Sequence, residues 1–404
     1  MNNIAQKWIS VSFFNLLIVA IIGVILRYKI AYALPIINQK YLLHAHSHFA
    51  FTGWVTMALM TLLVQYLTQH QNIHAFKKYK QILWLNLIAA YGMLFTFPFE
   101  GYAALSITFS SISILDSYAF AYMYWKDLSK IEWQSTTHSY FKIAVIFNAL
   151  SSLGVFTLAY MMATKQTEQN YYLASVYFFL HFQYNGWFLF ACLGLWNKFI
   201  EQSGASTNQL KWIFILFTAS CIPNYFLSTP WISIPFIFHT LVVLAVVVQL
   251  FAWVWMLSIV RTNNQQLFKQ VPKFMKQVLG IVAIAFSIKL ILQLGSAIPT
   301  LSTLTYGFRP IVIGYLHLAL LGVITLYIVV HNLLEKNLTN SKYLQMGISV
   351  FIIGIILNEF LLMVEGIADL FNLAVSFINQ ALLFAAIILM MGMAWINIQN
   401  KLLK

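Results

Sequence analysis

Residues 8–26 read WISVSFFNLLIVAIIGVIL, an uninterrupted apolar run without a charge. About 20 such residues cross a bilayer. No small-residue cleavage site follows, so the run is read as a retained membrane helix and not as a secretory leader. Eleven further stretches repeat the pattern: 45–67, 81–103, 105–124, 141–163, 171–196, 212–229, 234–257, 277–297, 309–333, 343–366 and 371–398. The expectation is an all-α integral membrane protein with twelve transmembrane helices. No connection is long enough for a separate extramembrane domain, so residues 1–404 are read as one membrane domain.

Composition agrees. Charged residues make up 8% of the 404 residues, where a soluble domain carries about a quarter. Hydrophobic residues make up 61%. These values exclude a soluble enzyme, a disordered chain and a secreted disulfide scaffold. Both cysteines, Cys192 and Cys221, lie in apolar runs, and no CxxC or CxxCH motif occurs. The net charge of +13 comes from Lys and Arg dispersed over short loops, which fits membrane topology and not a nucleic-acid interface. With the N-terminus inside, sixteen basic residues fall on the inner segments. Only Arg27, Lys29, Lys40, Lys165 and Arg309 fall on the outer ones. The positive-inside rule then places both termini in the cytoplasm of a bacterial-type inner membrane.

One spacing recurs. His48-Phe-Ala-Phe-Thr-Gly53-Trp54 lies on the second span, His181-Phe-Gln-Tyr-Asn-Gly186-Trp187 on the sixth and His317-Leu-Ala-Leu-Leu-Gly322-Val323 on the tenth. The histidines are 133 and 136 residues apart, four spans each time. A period near 135 predicts three pseudo-repeated four-helix units, approximately 1–134, 135–270 and 271–404. Six histidines, His44, His46, His48, His181, His239 and His317, gather toward the outer ends of spans. His70, His74, His138 and His331 fall in or near the inner loops. An ionisable side chain at membrane depth is costly and marks a functional site by default, and imidazole is the common ligand of haem iron and copper. The bland alternative is a hydrogen bond between helices. It weighs most for His239, which lies outside the repeat, and for His44, at a helix start.

Twelve spans in three units, with repeat-related histidines on spans 2, 6 and 10, resemble catalytic subunit I of the haem–copper oxidase superfamily. That group includes the large subunit of nitric oxide reductase. The resemblance covers the whole chain in architecture and only short motifs in sequence. It implies a low-spin haem b held by His48 and His317, with His46 as a reserve ligand. It implies copper or non-haem iron at His181. The string His181-Phe-Gln-Tyr-Asn185-Gly186 is similar to the reductases' His-x-x-x-Glu-Gly, with Asn185 in place of Glu. His46-Ser-His48-Phe-Ala-Phe-Thr-Gly53 also resembles the start of the NnrS family, haem- and copper-containing membrane proteins linked to nitric oxide.

There are departures. The family's tenth span carries His-x-His, and Tyr315 stands at the first position here. The family's His-His pair on span 7 is absent, with Pro230-Trp231 in that region. His181 therefore lacks its usual partners, and His239, His44 or His46 are its remaining candidates for a shared metal. Two neutral imidazoles alone hold a metal weakly. The implied activity is electron transfer with O2 or nitric oxide chemistry, an oxidoreductase with an incomplete binuclear site. The implied partners are membrane lipid, a small electron-donor subunit or quinol, and a gaseous ligand. A non-catalytic haem protein of the NnrS kind, for nitric oxide tolerance or sensing, is the second reading. A secondary transporter is the third, since internal repeats also build those. Asp116, Lys289 and Glu359 lie mid-span and are read as structural pairs or relay groups.

Overall fold

A computed structural model describes residues 3–71, 75–133, 135–336 and 341–402. His74 and Lys404, which entered the reading of the inner face, lie outside the described residues. All regular structure among the described residues is helical. This is what lipid demands, because a helix satisfies its own backbone groups where no water can.

The helices, in chain order, are α1 (Asn3–Ala31), α2 (Gln39–Phe49), α3 (Met57–Gln71), α4 (Ala75–Glu100), α5 (Ala104–Leu128), α6 (Thr136–Ala163), α7 (Gln169–His181), α8 (Leu189–Glu201), α9 (Thr207–Cys221), α10 (Phe236–Thr262), α11 (Asn264–Leu267), α12 (Lys273–Gly295), α13 (Pro299–Tyr306), α14 (Arg309–His317), α15 (Leu326–Lys336), α16 (Lys342–Leu370) and α17 (Ile378–Leu402). Three π-helical stretches join α2 to α3 (Ala50–Thr56), α7 to α8 (Phe182–Phe188) and α14 to α15 (Leu318–Thr325).

Among the described residues, ten helical runs are long and apolar enough to cross a membrane. The chain is a multi-pass membrane protein. Two of the twelve expected spans are not among the ten. The run from α7 to α8 carries His181, Gln183, Tyr184 and Asn185 at its middle. Helix α9 ends at Cys221, after 15 residues, because Pro223 has no N–H to continue the ladder.

The chain forms two compact units, residues 1–127 with 328–404 and residues 128–327. This division cuts across the three sequence-consecutive thirds: the ends of the chain share a unit. In the first unit α1 packs on α2, α3 and α17, and α16 packs on α17. Asn397 Nδ2 donates to Phe13 O at 3.0 Å, tying α17 to α1. The α16–α17 pair closes through glycines. A Cβ on Gly392 would lie 2.5 Å from Phe351 N, and one on Gly354 would lie 2.8 Å from Leu389 N. Backbone cannot give way as a side chain can. Gly392→Leu is therefore expected to cost about 1–3 kcal/mol, the usual range for overpacking. A lowered thermal midpoint in detergent checks it, and an unchanged midpoint removes the close approach.

The second unit is built on α6, which packs on α7, α8 and α9, while α10 packs on α9 and α12. Its α6 is capped by another helix: Glu201 accepts from Thr136 N at 3.0 Å, Ser135 Oγ at 2.7 Å and Thr137 Oγ1 at 3.0 Å. A carboxylate at a helix N-terminus meets both the free N–H groups and the dipole.

Candidate functional site

The three His-x4-Gly motifs are where the backbone departs from the α-helix. His181 and His317 immediately precede their π-helical stretches and His48 lies two residues before its own. Gly53, Gly186 and Gly322 lie inside them. No other π-helical stretch occurs among the described residues. A π turn holds one extra residue and is found frequently at functional sites. It also misaligns carbonyls that the α ladder would have used, and side chains from neighbouring helices take them. Asn15 Nδ2 donates to Gly53 O at 2.7 Å and Asn86 Nδ2 to Thr52 O at 3.1 Å. In the second unit Cys221 Sγ donates to Asn185 O at 3.7 Å.

The glycines leave room for a ring or a neighbour. A Cβ on Gly186 would lie 2.7 Å from Phe147 Cβ of α6, and one on Gly53 would lie 2.7 Å from the Phe49 ring. Asn15 also accepts from Tyr91 OH at 2.9 Å. Asn15→Leu orphans both Gly53 O and the Tyr91 hydroxyl, at about 1–3 kcal/mol for each fully buried group. The expected result is a lower unfolding temperature, read by circular dichroism in detergent. No change would mean that the π turn does not depend on this bond.

In the first unit the α2 histidines divide between two faces. His44 and His48, four residues apart, share one face, as helical geometry requires. His48 Nε2 lies 2.9 Å from Tyr102 OH, and its ring stacks on Phe97 at 4.6 Å. The His44 ring meets Tyr102 edge-on at 4.7 Å, and its buried Nε2 has no hydrogen-bond partner among the described residues. His46, about 200° round the helix from either, turns to α1. It bonds the Val19 backbone, and a Cβ on Gly23 would touch it at 3.5 Å. Its Nδ1 also has no partner among the described residues. His46 and His48 thus face different helices, so one cannot stand in for the other without rotating α2. Arg27 lies within electrostatic reach of His46, Glu359 and Glu365. Lys29 donates to Leu34 O at 2.6 Å, and Asn358 donates to Glu359 at 3.0 Å. Asp116 is buried on α5, and neither carboxylate oxygen has a hydrogen-bond partner among the described residues.

The second unit contains a fully buried polar cluster. His181 Nε2 lies 2.8 Å from Cys221 O, and Asn185 Nδ2 lies 3.2 Å from His181 Nδ1. A carbonyl can only accept, so Nε2 carries the proton, Nδ1 accepts, and the amide orientation of Asn185 follows. Cys221 O is open to this bond because the chain switches to a 3-10 turn: Tyr225 N bonds Ile222 O instead. Both ring nitrogens of His181 are engaged by protein groups. His239 is engaged with Ala297 O at 3.2 Å. His317 Nδ1 lies 3.0 Å from Ile313 O of its own helix. Tyr315 bonds the Tyr184 hydroxyl, which also reaches the Asn185 side chain and Ser228. Among the described residues no three His, Cys, Asp or Glu side chains converge as a metal site.

Beyond His181 lies a ladder of buried polar groups. Lys289 Nζ donates to Gln293 Oε1 at 2.8 Å, Gln293 Nε2 to Gln249 Oε1 at 3.1 Å, and Asn224 Nδ2 to the same oxygen at 2.8 Å. A small cavity, about 10 Å³ open to the centre of a water molecule, lies between Lys289, Asn185, Tyr184, Phe286, Ala319 and Val323.

No family model and no curated protein matches the chain. The geometry therefore stands alone.

The sequence reading missed the residues that hold the π turns and the amide ladder. A signal existed for two of them. Asn15 and Asn148 are 133 residues apart, the offset of His48 and His181. Asn15 binds the first π turn, and Asn148 Oδ1 accepts from Gln183 Nε2 of the second at 2.9 Å. Gln249, Gln293 and Asn224 follow no period, and only the fold assembles them.

Proposed function

We propose that this chain is a haem b-binding membrane protein of the haem–copper oxidase subunit I type, acting in electron transfer with O2 or nitric oxide chemistry. The observation that carries the reading is the coincidence of a histidine, a glycine and a π turn at three repeat-related places. The full proposal counts twelve crossings, adding the runs 169–201 and 207–228 to the ten. It places both termini in the cytoplasm of an inner membrane.

The histidines suit an iron ligand. When His317 donates Nδ1–H to Ile313 O, Nε2 is the unprotonated nitrogen. A histidine that ligates metal is usually held in this way through its other nitrogen. His48 Nε2 is held by the hydroxyl of an exposed tyrosine, Tyr102, a partner that a metal would replace. The buried nitrogens of His44 and His46 are further bases. Haem, when bound, supplies one-electron chemistry. The chain contributes the imidazoles and the Phe97 face that orients His48. Membrane lipid is one partner. A quinol or small electron-donor subunit and a gaseous ligand are the others proposed.

One observation favours the non-catalytic variant, an NnrS-like haem protein for nitric oxide tolerance or sensing. His181 spends both nitrogens on Cys221 and Asn185, which supports a role in holding the bundle over one as a copper or non-haem iron ligand. The test is a reduced-minus-oxidised optical spectrum of protein purified from haem-replete cells. A haem b signal supports the reading, and its absence with full folding rejects it. A carbon monoxide-induced shift selects the catalytic variant, and a spectrum insensitive to carbon monoxide selects the non-catalytic one.

A further inference from the structure

Lys289 is 2% exposed and Asn185 is 5% exposed. Both line the small cavity of the second unit. An ammonium has three donors and no acceptor. Gln293 takes one of the three, and no carboxylate pairs with Lys289 among the described residues. Asn185 Oδ1 is buried and has no hydrogen-bond partner among the described residues. Its amide nitrogen donates to His181 Nδ1, and the side chain also reaches the Tyr184 hydroxyl. A buried donor and a buried acceptor thus line one space without a bond between them, and each unmade bond costs about 1–3 kcal/mol.

We propose that this cavity is a binding site for one molecule of the water class, which accepts from Lys289 and donates to Asn185. Size and chemistry select the occupant together. About 10 Å³ of centre volume holds roughly one water-sized molecule. A halide has no proton to give Asn185 Oδ1. An apolar diatomic gas neither accepts well from an ammonium nor donates. The occupant joins the two halves of the polar cluster into one run, from Asn224 through Gln249, Gln293 and Lys289 to Asn185, His181 and the Cys221 carbonyl. The direction of the second half is forced. Cys221 O only accepts, so His181 donates to it, Asn185 donates to His181, and the occupant donates to Asn185 Oδ1. The inference needs no haem and stands apart from the proposed function.

The test is a cryo-EM map of the full-length protein in lipid nanodiscs, at a resolution that shows ordered water. A density peak about 2.7–3.2 Å from both Lys289 Nζ and Asn185 Oδ1 is expected. A map that resolves other buried waters and shows none here overturns the proposal, as does a direct bond from Nζ to Oδ1. In Lys289→Met the peak is expected to vanish. A peak that persists at full height in that variant removes Lys289 as the donor and overturns it too. If the variant does not fold, the native map decides alone.

Discussion

If the chain binds haem b as proposed, alanine at His48 or at His317 is expected to abolish the low-spin haem spectrum of the purified protein. Loss of either histidine would remove a proposed haem ligand, and with it the low-spin state or the haem itself. The haem-to-protein ratio and the sharp reduced-state bands should both fall to near background. Two controls come from the structure. Tyr102→Phe removes the hydroxyl 2.9 Å from His48 Nε2 and leaves the imidazole in place, so its spectrum should persist. His46→Ala lies on the α1-facing side of α2 and should also retain the low-spin bands. An unchanged spectrum in His317→Ala sinks the ligand assignment. A spectrum lost only in His46→Ala would transfer the ligand role to that histidine.

The second large effect is expected at His181. Substitution by alanine takes the donor from Cys221 O and the acceptor from Asn185 Nδ2, both deep in the second unit. Each orphaned buried group costs about 1–3 kcal/mol, so about 2–6 kcal/mol is expected together. For a protein of ordinary marginal stability that is a large fraction of the total. Poor yield and a strongly lowered thermal midpoint should follow, with His181→Gln partly restoring the midpoint because its amide both donates and accepts. Metal analysis separates this from a ligand role. If one tightly bound copper per chain disappears in His181→Ala while stability is unchanged, His181 is a metal ligand and the structural assignment falls.

Much of the architecture was legible from the residues alone. Apolar runs near 20 residues have one solution in lipid, so α1, α16 and their like could be read directly. The runs that failed the span criteria are the ones with polar middles or an early proline. In α7–α8 those polar residues form the buried cluster, so the weak hydropathy signal and the candidate site share a cause. The three His-x4-Gly motifs were legible as a period. That each would open into a π turn was not, because one inserted residue per turn changes no periodicity that a short apolar window can resolve. Nor did spacing show that His44 and His48 would share Tyr102 while His46 turned to α1. Helical geometry separates their faces, but only packing decides which neighbour each face meets.

The sequence by itself determined the solvent, the helices and the recurrence of histidine with glycine. Those rest on local chemistry: hydrophobic length, the helix as the self-satisfied backbone, and repetition. The tertiary structure decided which buried polar groups meet. Lys289, Gln293, Gln249 and Asn224 lie on α12, α10 and the turn after α9, and nothing in their spacing predicts one ladder. Burial in lipid makes each unmade hydrogen bond costly. Such groups must find one another across helices, and the partner is set by crossing points that no single segment encodes.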